Sequence, residues 1–371
     1  MTSNIFIFTN DLRTTDNTAW TLATKNTKYK TIPVVLLPRS FVNKRVKKFY
    51  MESVKDLESQ LTTKLIITTS LDAVPTRTRT NEPVTVYYNR DPIDSTPDSK
   101  IQKWCKKHSL QLIAPHTDYS LLDFEKLPRP FKVFSNFYKT FGQVQVSVNK
   151  VSKVKARVDE IVGGRTNALA ILNTINQNKF AHYSETRDQI SSPTTMLSAY
   201  MNCGCVSVRE VWHAFKNNEP LLRQLFWREF YQQLVFFFPN LKKGAAFYPQ
   251  RDLATWSRTL PKAWVNGTTG VPLVDASMRH LKRTGYLHNR CRMVVASYLV
   301  KDMGVDWRLG EAYFKSQLTD YYFPSNNGGW QFISGTGASA MMQSLRFNPL
   351  IQAAKYDPKS EFIKQYMSSR K

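Results

Sequence analysis

Over residues 1–125, short apolar runs alternate with stretches of helical periodicity. NIFIFT (4–9), TIPVVLL (31–37), KLIITT (64–69) and PVTVYYN (83–89) are rich in β-branched and aromatic residues, which predicts buried strands. IQKWCKKHSLQL (101–112) predicts an intervening helix. Strands alternating with helices predict an α/β domain with a parallel, Rossmann-like sheet over 1–125. LPRPFKVFSNFYKTF (127–141) reads as the exit from that domain, and 142–165, basic and Gly-ended, as a surface crossing. Residues 126–165 are therefore expected to form an interdomain linker. Beyond 166 the strand signal disappears. LLRQLFWREFYQQLVFFF (221–238), LVDASMRHLKRTG (273–285) and NRCRMVVASYLVKDMG (289–304) show helical periodicity, predicting an all-α domain over 166–371.

Composition adds a partner. Lys plus Arg number 52 against 28 Asp plus Glu, a formal net charge of +24 in 371 residues. An anionic partner is expected, nucleic acid first, although a basic surface that only aids solubility gives the same balance. The start, MTSNIFIFTNDLR, has no basic leader or cleavage site and reads as a strand rather than a signal peptide. No apolar run reaches the ~18 residues that suggest a membrane span. Cys105, Cys203, Cys205 and Cys291 lack metal-ligand spacing and the six histidines form no cluster. The expectation is free thiols in a reducing compartment, cytoplasmic or nuclear, with no protein metal site and no membrane partner.

Three stretches carry candidate chemistry. GYLHNRCRM (285–293) sets Asn289 and Met293 one helical turn apart, with Arg290 on the flank and Arg292 on the other side. PTTMLSAYMNCGCVS (193–207) places Thr194, Thr195 and Ser198 at the start of a helix, where hydroxyls and open N–H groups suit a diphosphate; an ordinary Ser/Thr cap looks the same. SNNGGWQF (325–332) pairs two asparagines with two glycines, whose freedom permits unusual backbone angles and close approach to a flat ligand; a turn would explain NNGG by itself, but the adjoining Trp330 and the aromatic-rich run before it suggest a ring-binding wall. Trp256, Trp264, Trp307 and Trp330 serve either as core or as stepping stones for an electron.

IFTNDLRTTDN, FKVFSNF, TTMLSAY, LFWREFY, GYLHNRCRM, DWRLGEAYF and NNGGWQF occur in the order found in the photolyase and cryptochrome family. The chain resembles that family over nearly its whole length, and its class I cyclobutane pyrimidine dimer photolyases most strongly from Leu221 to Pro349. The resemblance implies FAD, active when reduced, in the helical domain, and an α/β domain that can hold an antenna chromophore, folate or deazaflavin. It implies light-driven repair of a pyrimidine dimer flipped out of damaged DNA, performed by a monomer.

Residue by residue, the resemblance implies that Tyr183 and the loop Thr194, Thr195, Met196, Leu197 and Ser198 bind FAD. Arg292 ion-pairs with Asp320 beside the flavin, and Asn326 faces flavin N5, where an amide suits the reduced enzyme. Trp330, Trp307 and Trp256 match the photoreduction chain. Asn289 and Arg290 match dimer-contacting positions, Met293 the methionine against the dimer, and Trp227 a stacking tryptophan. Arg187 and Arg228 are placed for backbone phosphates.

Three positions depart from the pattern. Gln224 replaces a dimer-bonding glutamate, as in the 6-4 photolyases. Phe332 replaces a second stacking tryptophan. Tyr322 replaces an aspartate near the flavin, with Tyr321 in place of a glycine. The 6-4 class needs a histidine pair, and those positions hold Asn289 and Met293, so cyclobutane dimers are the expected substrate. The alternatives are a 6-4 or single-strand-preferring photolyase, and a cryptochrome-like photoreceptor. A photoreceptor would need a signalling tail, for which the sequence after RFNPL leaves little room.

Overall fold

The computed structural model describes residues 3–76, 84–148, 162–177, 179–339 and 346–368. Five strands, β1 (Ser3–Phe8), β2 (Lys30–Leu36), β3 (Ile66–Thr68), β4 (Thr85–Tyr87) and β5 (Gln111–Ile113), form one sheet in the order β3-β2-β1-β4-β5. Every pairing is parallel. In the first part of the chain lie helices α1 (Thr18–Thr24), α2 (Lys44–Ser59), α3 (Ser95–Lys107) and α4 (Phe134–Phe141). Then come α5 (Arg165–Asn176), α6 (Tyr183–Thr186), α7 (Leu197–Asn202), α8 (Val208–Phe215) and α9 (Glu219–Phe237). The last are α10 (Lys262–Asn266), α11 (Pro272–Thr284), α12 (Asn289–Ser297), α13 (Trp307–Gln317), α14 (Phe323–Ser334), α15 (Pro349–Tyr356) and α16 (Glu361–Met367).

The sheet is buried on both faces because β1 alternates. Ile5 and Ile7 pack with Val34, Val86, Ile101 and Trp104 on one side. Phe6 and Phe8 pack with Tyr50, Val54 and Leu57 on the other. The four expected strands are present: β1 and β2 begin and end one residue earlier than expected, and β3 and β4 are shorter. The expected helix 101–112 ends earlier: Ser109 takes a left-handed φ of 54°, and the chain re-enters the sheet as β5. The expected helix 289–304 is α12 followed by a π-helical turn, Tyr298–Asp302.

The chain divides into two compact units. One comprises Met1–Leu127, Val144–Lys179 and Met196–Leu222; the other Pro128–Gln143, Phe180–Thr195 and Arg223–Lys371. Thus α5, α7 and α8 cluster with the sheet, although their periodicity resembles that of the later helices. Buried charge explains the attachment. Arg209 on α8 reaches Asp16 at 2.9 Å and Asp118 at 3.0 Å, and Arg13 beyond β1 also pairs with Asp118. Arg165 on α5 pairs with Glu210 on α8 at 2.7 Å. Burial pushes Asp118 upward, but Arg13 and Arg209 outweigh it and hold its carboxyl below the usual range. The β1–β4 junction, where the strand order reverses, is filled by Asp11, which accepts from Asn89 at 2.6 Å and Asn17 at 3.2 Å.

The second unit is built around Trp264, Trp307, Trp330, Phe314, Leu299 and Val294. Among the described residues, no helix is long and apolar enough to cross a membrane. The four cysteines are free. One group of potential metal ligands, His116, Asp123 and Glu125, does converge. Its carboxylates are already paired, Asp123 with Lys126 at 3.1 Å and Glu125 with Arg90 at 2.7 Å.

Candidate functional site

Helix α12 begins at His288, whose Nδ1 accepts from the Arg290 amide at 3.1 Å. That cap sets the helical phase. Asn289 Nδ2 donates to Met293 Sδ at 3.7 Å on the exposed face. Arg292, on the opposite side, donates from Nη2 to both oxygens of Asp320 at 2.9 Å and from Nε to the Leu287 carbonyl at 2.7 Å. Its guanidinium also lies 5.5 Å from the Tyr286 ring, whose hydroxyl bonds Thr194 Oγ1 at 2.8 Å. Burial raises the Tyr286 and Tyr183 phenols, and Tyr183 adds to the shift at Tyr286. Burial also pulls His288 down to about 4, so it is neutral at pH 7.

Arg290 behaves differently from a free substrate contact. It pairs with Asp188 at 2.7 Å and stacks 4.4 Å over Tyr356. Arg228 likewise bonds Gln232 at 2.9 Å and Glu229 at 3.2 Å and lies 4.8 Å over the Tyr322 ring. Tyr322 accepts from Gln232 Nε2 at 2.6 Å, so this departure from the family pattern is built into a polar contact between α9 and the start of α14. Trp227 stacks on Phe134, centroids 3.6 Å apart and planes at 6°, so one of its faces is already covered. Arg187 is exposed; Gln224 and Phe332 are half-buried.

The NNGG stretch is the main local correction. It lies inside α14, and neither glycine has a positive φ. Gly328 is needed because a Cβ there would collide with the Tyr231 ring. Among the described residues, a Cβ at Gly329 would meet nothing within 4 Å. Residues 326, 329 and 330 share one side of a helix, so this open space adjoins Asn326. The Asn326 amide donates to the Glu311 carbonyl at 3.3 Å, and the Asn327 amide to Glu311 Oε1 at 3.4 Å.

The tryptophans sit in one core. Trp330 is 2% exposed and Trp307 fully buried. Gly310, one turn beyond Trp307, leaves the space that the Trp330 ring fills. Trp256 precedes a parallel bridge, Ser257 with Val305, that ties its segment to the start of α13. Trp264 packs edge-on to Trp330 at 6.3 Å. Met196 adopts a left-handed φ of 55° and precedes the six-residue α7, whose first residues are Leu197 and Ser198. Thr194, Thr195 and Ser198 are half-buried and Leu197 is buried.

Residues 4–153 match the model of the DNA photolyase domain and residues 221–371 that of the FAD binding domain of DNA photolyase. An archaeal photolyase from Sulfolobus tokodaii, solved with two FAD molecules, superposes with a TM-score of 0.82 at 31% identity, over 99% of this chain and 90% of that one. The chain belongs to the photolyase/cryptochrome family. A Synechocystis cryptochrome superposes with a TM-score of 0.83 at 25% identity, over 99% of this chain and 88% of that one. The Escherichia coli deoxyribodipyrimidine photo-lyase is 40% identical over 213 residues, 54% of this chain and 45% of that protein. The Vibrio cholerae enzyme of the same name is 38% identical over 217 residues, 53% and 45% of the two chains. The chain thus spans about half the length of the curated relatives it matches.

The donor set of this photolyase-family chain fits a flavin. It offers an amide at Asn326, an open glycine face at Gly329, a neutralised Arg292–Asp320 pair and hydroxyls at Thr194 and Tyr286. Glu311 and Trp264 escaped the residue-by-residue reading. Glu311 lies in the DWRLGEAYF motif but has the look of a solvated helix residue.

Proposed function

We propose that the chain is a light-dependent DNA repair enzyme, a deoxyribodipyrimidine photo-lyase, that binds FAD and splits cyclobutane pyrimidine dimers flipped out of DNA. When bound and reduced, FAD would supply the photoexcited electron that opens the cyclobutane ring. In this reading the chain acts as a monomer in the cytoplasm or nucleus. Residues 1–125 form the antenna-type domain, 126–165 the linker and 166–371 the part that holds FAD and DNA.

The carrying observation is the exposed face of α12. Asn289 and Met293 touch each other there, and neither titrates. A dimer needs apolar contact on its faces and hydrogen-bond donors at carbonyls that gain charge. Repair of a 6-4 photoproduct instead calls for a general acid. The nearest histidine, His288, is buried, neutral at pH 7 and engaged in capping. These features favour the cyclobutane dimer over the 6-4 lesion.

In the same reading Trp227 offers a stacking surface to the dimer, with Gln224 one turn earlier on α9. Arg187 and Arg228 are placed for the backbone phosphates, and Arg290, held by Asp188, lies at a dimer-contacting position beside Asn289. Arg292 and Asp320, with Tyr183, Tyr322 and residues 194–198, orient the cofactor. Asn326 addresses its central ring, and Trp330, Trp307 and Trp256 carry an electron inward. Replacing Asn289 with alanine tests the assignment. Blue-light repair of a thymine dimer should fall while FAD content stays unchanged. Unchanged repair would remove Asn289 from the substrate face, and absence of dimer repair in the wild type would leave the photoreceptor reading.

A further inference from the structure

Glu311 is a half-buried carboxyl on α13 that no step above uses. Its oxygen Oε1 accepts from Asn327 Nδ2 at 3.4 Å and its backbone carbonyl from Asn326 Nδ2 at 3.3 Å. Asn327 in turn accepts from Gln331 Nε2 at 2.9 Å. Gln331 Nε2 also donates to the Ala245 carbonyl at 3.2 Å, and its oxygen accepts from the Phe247 amide at 2.8 Å. Asn327 is therefore clamped at both ends of its amide, and Asn326 is held at its NH2 end. An amide whose NH2 end is bonded to Glu311 keeps its oxygen as the end presented elsewhere.

We propose that Glu311 is a positioning residue of the candidate flavin site: its main-chain carbonyl holds the NH2 end of Asn326, so that Asn326 presents its oxygen, while its carboxylate holds the NH2 end of the adjacent Asn327, and the charge on that carboxylate governs how the asparagine pair is set. This rests on the FAD reading above. A carboxylate only accepts, so it holds the Asn327 NH2 group, beside the Asn326 NH2 group held by the main-chain carbonyl; a carboxylic acid has an O–H to place and competes for the amide oxygens. Burial raises this carboxyl to about 7, against the Asn327 hydrogen bond and the charges of Lys315 and Arg308. The other groups facing it are Asn326 and, ahead of α14, the Tyr321 phenol. Arg308 is itself bound by Asp252 at 2.6 Å, so it does not neutralise Glu311. With a midpoint near 7, the carboxyl passes from about 10% ionised at pH 6 to about 90% at pH 8.

Two readouts test this. Infrared difference spectra of FAD-free protein between about pH 6 and about pH 8 should show a carboxylic C=O band that titrates together with side-chain amide bands. Both changes should vanish in Glu311→Gln. In protein carrying FAD, light-driven reduction should differ by about threefold or more across that range, and Glu311→Gln should flatten the profile. A Glu311→Gln variant that keeps the wild-type infrared change or the wild-type pH profile overturns the proposal. If that variant does not fold, Asn327→Ala removes a donor to the carboxylate and should raise its midpoint; an unmoved midpoint is equally contrary. Failure to bind FAD would count against the functional reading, while the infrared arm still decides the role of Glu311.

Discussion

Substituting Gly329 with alanine should move stability and cofactor affinity in opposite directions. Gly329 lies inside Phe323–Ser334, and apart from its own helix backbone and chain neighbours no described residue comes within 4 Å of the position a Cβ would take. In the empty protein the added methyl meets nothing, so only helix propensity counts, a gain of about 1 kcal/mol. For a chain this size, that raises the melting temperature by about 2 °C. If the open space beside Asn326 belongs to the flavin, the same methyl intrudes on it at a cost of about 1–3 kcal/mol, weakening FAD roughly 5- to 150-fold. The assay is thermal unfolding of FAD-free protein combined with equilibrium titration with FAD. Gly328→Ala is the control: its Cβ collides with the Tyr231 ring, so the empty protein itself loses stability. A Gly329→Ala protein that is stabilised yet binds FAD within about twofold of wild type would refute the placement of the cofactor against this face.

Trp330→Phe should retain FAD but lose light-driven reduction of the oxidised cofactor, while chemically reduced protein keeps some repair; photoreduction at the normal rate would break the proposed chain. Affinity for duplex DNA should fall with salt at a log–log slope of about −0.9 per phosphate neutralised, and a flat response would detach the charge excess from DNA binding. Acid should weaken the second unit. Burial lowers both His280 and His288 to about 4, below the unfolded value, so their contribution is full above about 6.5 and is lost as pH falls towards 4. His280 packs against Tyr366 at 4.4 Å, and His280→Phe should flatten the fall in melting temperature over that range; an identical fall would discount its burial.

The strands were legible because runs such as NIFIFT are apolar on both faces, as a covered parallel sheet requires. Strand β5 was not: QLI is a half-exposed edge that continues the periodicity of α3, and only the left-handed Ser109 separates them. Helix α2 escaped notice because its five buried side chains are spread through a Lys-rich stretch. The two units are discontinuous along the chain, and what binds α5 and α8 to the sheet is buried charge pairing between residues far apart in sequence, such as Arg209 with Asp16. The pairing of Arg292 with Asp320 and the contact of Asn289 with Met293 followed from helical phase and family resemblance together. Glycine composition misled at 328–329. Gly328 clears a neighbouring ring and Gly329 an open face, both within regular helix. Nor could spacing alone reveal that Arg228 and Arg290 already have protein partners.

The most direct measurement supplies defined thymine dimers and 6-4 photoproducts, in duplex and single-stranded oligonucleotides, to wild-type protein carrying reduced FAD under blue light. The account predicts repair of the cyclobutane dimer and no turnover of the 6-4 lesion, because α12 presents Asn289 and Met293 where a general acid would be required. Repair of the 6-4 lesion at a rate equal to or above that of the dimer would contradict it.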